Sequence, residues 1–96
     1  MKILNTEQRE QARLSILRYC SSAEEFGLAE SLLLQFLRSE GLRSLTAAQL
    51  RAEIAYLADK GFLCAVTKFI SPENRVWRVT ATGRDFLAEQ KLEEEI

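Results

Sequence analysis

Apolar residues recur along this chain in two rhythms, and the change from one to the other divides it. Ala12, Ile16, Tyr19 and Cys20, with Leu17 beside them, return every three or four positions, the pattern of a helix that buries one face. Asn5 and Gln8 have the spacing of a capping box, which opens that helix at Asn5 or Thr6. The polar run Ser21 to Glu25 breaks the rhythm and reads as a connector. A second helix is predicted from Leu28 to Ser39, with a stripe of Leu28, Leu32, Leu33, Phe36 and Leu37 that Leu34 widens. Gly41 then supplies the positive φ that ends helices. After the turn "RSLT", Thr46 and Gln49 form another capping box, and a third helix runs toward Gly61 with Leu50, Ile54 and Leu57 inward.

From there the period falls to two. Phe62–Phe69 and Arg75–Thr80 are rich in aromatic and β-branched residues and predict two strands. "SPEN" turns between them. Alternation sets Trp77 and Val79 on one side of the second strand, and Val76, Arg78 and Thr80 on the other. Trp77 is expected to make the largest single apolar burial, about 2–3 kcal/mol. A fourth helix, "GRDFLAEQKL", follows with Phe86 and Leu87 as anchors. The expected fold class is mostly α with a small β-hairpin (α+β), in the order α-α-α-β-β-α. One domain spans residues 1–92, and residues 93–96 form an acidic tail.

That order and several words in it carry a resemblance. "LRAEIAYLADKGFL" followed by "VWRVTATGRDFL" resembles the winged helix-turn-helix superfamily. The shared features are a leucine-spaced third helix, Gly at the hairpin entry, an aromatic-x-x-Thr strand end and Gly opening the last helix. The likeness runs from about Gln8 to Glu89. More narrowly, "ILRYC", "ESLLLQFLRSEG" and "LTAAQLRAEIAYLADKGFL" are similar to small ArsR-like winged-helix proteins of Mu-like phages and prophages. The resemblance implies a transcriptional regulator that binds duplex DNA. The third helix departs from DNA-binding members in having few basic or polar outward residues.

Composition changes this picture mainly by exclusion. Ninety-six residues suit one modest core, and 47% hydrophobic with 28% charged residues suits a globular chain. No apolar run can cross a bilayer, and "MKILNTEQRE" turns polar after Leu4, so the expected compartment is the cytoplasm. Cys20 and Cys64, both among apolar neighbours, are expected to be reduced core residues. They offer no zinc spacing, and the chain has no histidine for acid–base work or metal binding. The glycines fall at element boundaries rather than in a phosphate loop. Glu24-Glu25 and Glu93-Glu94-Glu95 read as solvated surface, not as a catalytic pair in an apolar pocket. Neither an enzyme nor a metal, cofactor or small-molecule site is expected.

Net charge is −1, yet Lys60, Lys68, Arg75, Arg78 and Arg84 stand against Glu73 alone between residues 60 and 84. Local charge matters more to a polyanion than the total. On the third helix Ala48, Ala52, Ala55, Tyr56 and Asp59 lie opposite the core, flanked by Arg51 and Glu53. For duplex DNA the base-contact candidates are Gln49 for adenine, Arg51 for guanine and Ala52 for a thymine methyl. Backbone candidates are Arg43, Ser44 and Thr46 at the helix start, and Lys68, Arg75 and Arg78 on the wing. Glu53 and Asp59 would oppose phosphates, and Arg84 is expected to pair with a nearby acid.

The alternative is a protein-contact face of Ala48, Ala52, Ala55 and Tyr56, and a third reading is helix-favouring filler. One module gives limited DNA affinity, so a homodimer is expected, with its seam on the first and last helices at Leu87, Leu92 and Ile96.

Overall fold

The computed structural model describes residues 4–66 and 74–95, the last four of these by backbone alone. Helix α1, Thr6–Ser22, opens on the expected box: Gln8 N–H donates to Asn5 Oδ1 at 2.8 Å and Asn5 N–H to Gln8 Oε1 at 3.1 Å. The connector is partly ordered as a 3₁₀ turn, Glu24–Phe26. Helix α2 spans Glu30–Ser39 and α3 spans Ala47–Asp59. Strands β2, Leu63–Ala65, and β3, Val76–Val79, precede α4, Ala81–Glu95.

Two departures from the expected layout matter for the site. Leu28 and Ala29 do not begin α2; they form a short strand, β1, antiparallel to β3 with Leu28 opposite Trp77. The sheet order is therefore β1-β3-β2, and β3 is its central strand. Gly27 permits this approach. Its φ of 70° suits glycine, and a Cβ there would strike the Trp77 carbonyl oxygen. The second departure is on α2, where Leu33 and Leu37 are buried but Leu32 is 42% exposed. Moving the helix start to Glu30 narrows its inward stripe to Glu30, Leu33 and Leu37.

Ala12, Ile16, Leu17 and Cys20 of α1 meet Leu33, Leu37, Leu50, Ile54 and Leu57 in one core, which Leu63 and Val79 close from the sheet. Full burial of a Leu or Ile side chain contributes about 1.5–3 kcal/mol, so these helical aliphatics dominate the stabilisation. Trp77 is only half-buried at their edge, contrary to its expected rank. Its indole carries a polar N–H that must find an acceptor. Cys20 is buried and Cys64 half-buried, both as free thiols. The α4 backbone stays helical to Glu95, so the acidic end continues the last helix.

Candidate nucleic-acid interface

Helix α3 is fixed at its start and along one side. At its start Thr46 Oγ1 accepts from Gln49 N–H at 3.1 Å, and Thr46 N–H donates to Gln49 Oε1 at 2.9 Å. Gln49 and Thr46 are thus engaged in capping, and both are half-buried. Arg38 of α2 donates through Nε to the Leu45 carbonyl at 2.8 Å, which secures the turn carrying the exposed Arg43 and Ser44. Leu50, Ile54 and Leu57 are at most 2% exposed, so α3 has the expected inward side. Ala48, Arg51, Ala52, Ala55, Tyr56 and Asp59 all face solvent.

Glu53 does not join them. It is 3% exposed and turned toward α1, where Arg13 Nε donates to its Oε1 at 2.6 Å and Arg9 Nε to its Oε2 at 3.3 Å. A carboxylate held by two guanidiniums is neutralised within the fold and adds little repulsion toward a phosphate. Arg13 also lies 3.7 Å from the centre of the Tyr56 ring, an attraction of the cation–π kind. The expected opposition from Glu53 is therefore withdrawn, while Asp59 stays exposed.

The other acid that sequence reasoning missed is Glu30, the first residue of α2. Its Oε1 accepts from Arg51 Nε at 3.3 Å, and its Oε2 accepts from Trp77 Nε1 at 3.0 Å. Its backbone N–H donates to the Arg75 carbonyl at 3.0 Å. Next to it, Ser31 N–H donates to Asn74 Oδ1, and Asn74 Nδ2 donates to Ser31 Oγ, both at 3.0 Å. The N-terminus of α2 is thereby tied to α3 and to the base of β3. A cleft lies between them, lined by Glu30, Ser31, Leu34, Ala47, Leu50, Arg51 and Asn74.

A signal for both acids was available. Glu30 stands three and seven positions before Leu33 and Leu37, and Glu53 stands three after Leu50 and four before Leu57. Both therefore fall on buried faces.

Among the predicted DNA contacts, Arg51 and Ala52 share the outer side of α3, and Arg75 and Arg78 are exposed on β3 or just before it. Arg51 and Arg75 meet at Glu30, one through its side chain and one through its backbone. Lys68 lies outside the described residues, as do Ile96 and the side chain of Leu92. Leu87 is half-buried against the core. Arg84 donates to the Val79 carbonyl at 3.4 Å rather than to the acid expected of it. Among the described residues no group of acids and cysteines is disposed to hold a metal, and no helix is long and apolar enough to cross a membrane.

No protein-family model matches the chain, and no curated protein matches it either. Solved structures do. A transcriptional regulator from Clostridium thermocellum, Cth-833, superposes with a TM-score of 0.67 at 15% identity, covering 97% of this chain and 89% of its own. A point mutant of MepR from a multidrug-resistant S. aureus clinical isolate superposes with a TM-score of 0.65 at 14% identity, covering 94% and 71%. At such identities the likeness is one of fold. Four helices with a small antiparallel sheet, arranged as in these proteins, make this chain a winged helix.

Proposed function

We propose that the chain is a DNA-binding transcriptional regulator that offers α3 to the major groove and the β2–β3 hairpin to the backbone. The carrying observation is the outer side of α3: Ala48, Ala52 and Ala55 keep it low, and Arg51 stands 58% exposed on its N-terminal half beside the Arg75 segment. Short side chains let a helix sit deep in a groove, where arginine suits guanine and an alanine methyl suits thymine. Gln49, whose Oε1 would have to leave the Thr46 N–H, is the adenine candidate. Arg43, Ser44, Thr46, Lys68, Arg75 and Arg78 are the backbone candidates. The transcriptional regulator from C. thermocellum, which shares the fold, supports the same reading. Phage or prophage origin rests on the sequence words alone, and pairing of two copies through α1 and α4 rests on the weakness expected of a single module.

A mobility-shift titration with a randomised duplex pool tests the proposal at about 50 mM salt, where even non-specific binding registers. Binding should appear there. Arg78→Ala should weaken every duplex alike and lower the salt slope by about one, whereas Arg51→Ala should cost selected sequences more than random ones. No shift by the unaltered chain at that salt would refute DNA binding.

The second reading, a protein-contact module, is favoured by one feature. Tyr56 is 40% exposed and borders a groove that Leu14, Phe62 and Phe86 also line. Tyrosine beside apolar surface and alanines suits a protein interface. In that case Ala52→Glu abolishes a complex while duplex binding is undetectable.

A further inference from the structure

Glu30 is buried, at 9% exposure, while Ser31 and Leu32 beside it are exposed, and both its carboxylate oxygens are engaged by other elements. Arg51 of α3 holds one and Trp77 of β3 the other. A helix N-terminus alone would welcome an acid in its first turn, but it would not require the acid to be buried. Burying a carboxylate carries a desolvation cost, and an apolar residue of similar volume often stabilises a fold as well or better. What an apolar residue could not do is orient two donors from two elements at once.

We propose that Glu30 is a positioning residue for DNA recognition. It aims the Arg51 guanidinium and sets the pose of α3 relative to the hairpin, so that the chain discriminates sequence at the expense of general affinity. The inference rests on the DNA-binding reading above. Its physical basis has two parts. An arginine already oriented loses less freedom when it meets a base edge, so the match between fork and guanine counts for more. The carboxylate 3.3 Å from Arg51 Nε also offsets the charge that would otherwise draw Arg51 to any phosphate. Trp77 carries the same carboxylate to the central strand, so the hairpin and the reading helix share one reference point.

Removing this constraint should move affinity and specificity in opposite directions, which a merely structural role would not do. The test compares the unaltered chain, Glu30→Gln, Arg51→Ala and the double variant. Each binds a randomised duplex pool and a sequence enriched from that pool by the unaltered chain. Glu30→Gln keeps the side chain's shape and an acceptor for the indole. It should bind the random pool as tightly or tighter, raise the salt slope by about one, and lose roughly tenfold in preference for the enriched sequence. Once Arg51→Ala is in place, Glu30→Gln should change preference no further, since the two act through one contact. In the free protein, the indole N–H resonance of Trp77, the only tryptophan, should shift in Glu30→Gln.

Equal loss on both duplexes, additive effects of the two substitutions, or an unmoved indole resonance would each overturn the inference while leaving DNA binding intact. Failure of the unaltered chain to bind any duplex would instead remove the reading beneath it, and the inference with it.

Discussion

Cys20 is wholly enclosed by the core, and burial pushes its thiol up to about 12, because a thiolate has no water or counter-charge there. In the unfolded chain the same thiol ionises near its ordinary value of about 9. Between those values the native state keeps a proton that the unfolded state releases, so stability is full below about pH 9 and declines as pH rises toward 12. The slope from this group approaches about 1.4 kcal/mol per pH unit. Tyr19 acts in the same direction: the Glu40 side chain hydrogen-bonds its hydroxyl and, with burial and the nearby negative charge, raises its pKa. Urea unfolding followed from pH 7 to 11 should show this decline, and Cys20→Ala should remove the larger part of it. A flat profile in the unaltered chain would contradict the assignment of Cys20 to a closed core.

Elements join in this fold through close backbone approaches, and Gly83 makes the tightest demand. It lies in the first turn of α4, where alanine would ordinarily gain about 1 kcal/mol over glycine. A Cβ at that position would collide with the Phe62 carbonyl oxygen and would meet Val79 Cγ2 at 2.6 Å. A carbonyl fixed at the hairpin entry cannot swing aside as a side-chain tip can, and overpacking of this kind costs about 1–3 kcal/mol. Gly83→Ala should therefore destabilise by about 1–2 kcal/mol net in thermal or urea unfolding, the reverse of its effect on an isolated helix.

The helices and both boxes that open α1 and α3 were legible in the sequence, because period and cap chemistry are local. Strand β1 was not, since Leu28 and Ala29 are too short to display a period and exist only through pairing with β3. The roles of Glu30 and Glu53, unlike their buried positions, were hidden for a related reason. Each sits on an apolar face, but an acid there makes sense only once its partners are known, and those lie 21 and 47 positions away for Glu30, and 40 and 44 for Glu53. Arg51 was legible as an outward arginine, while the carboxylate that holds it was not.

Taken whole, the molecule has a net charge of −1 and a sequence pI near 5.5, so no long-range attraction draws it to nucleic acid. Any affinity for a duplex must come from local cations, and of those proposed as contacts Arg43, Arg51, Arg75 and Arg78 are described and exposed. Arg51 is partly neutralised by Glu30, which leaves about three phosphates for one copy and a slope of log affinity on log salt near −3. Across a fourfold rise in salt, from about 50 to 200 mM, affinity should then fall roughly fiftyfold. Two copies pairing through α1 and α4 on one duplex would double the slope, to about −5 or −6, because phosphate contacts add while the fold of each copy is unchanged. The slope thus reports the number of copies engaged, and sedimentation of the complex counts them independently. A slope near −3 with two copies bound would mean that the second copy contacts its partner and not the DNA. A slope beyond about −4 for one copy would require cations outside those four, with Lys68 the first to substitute.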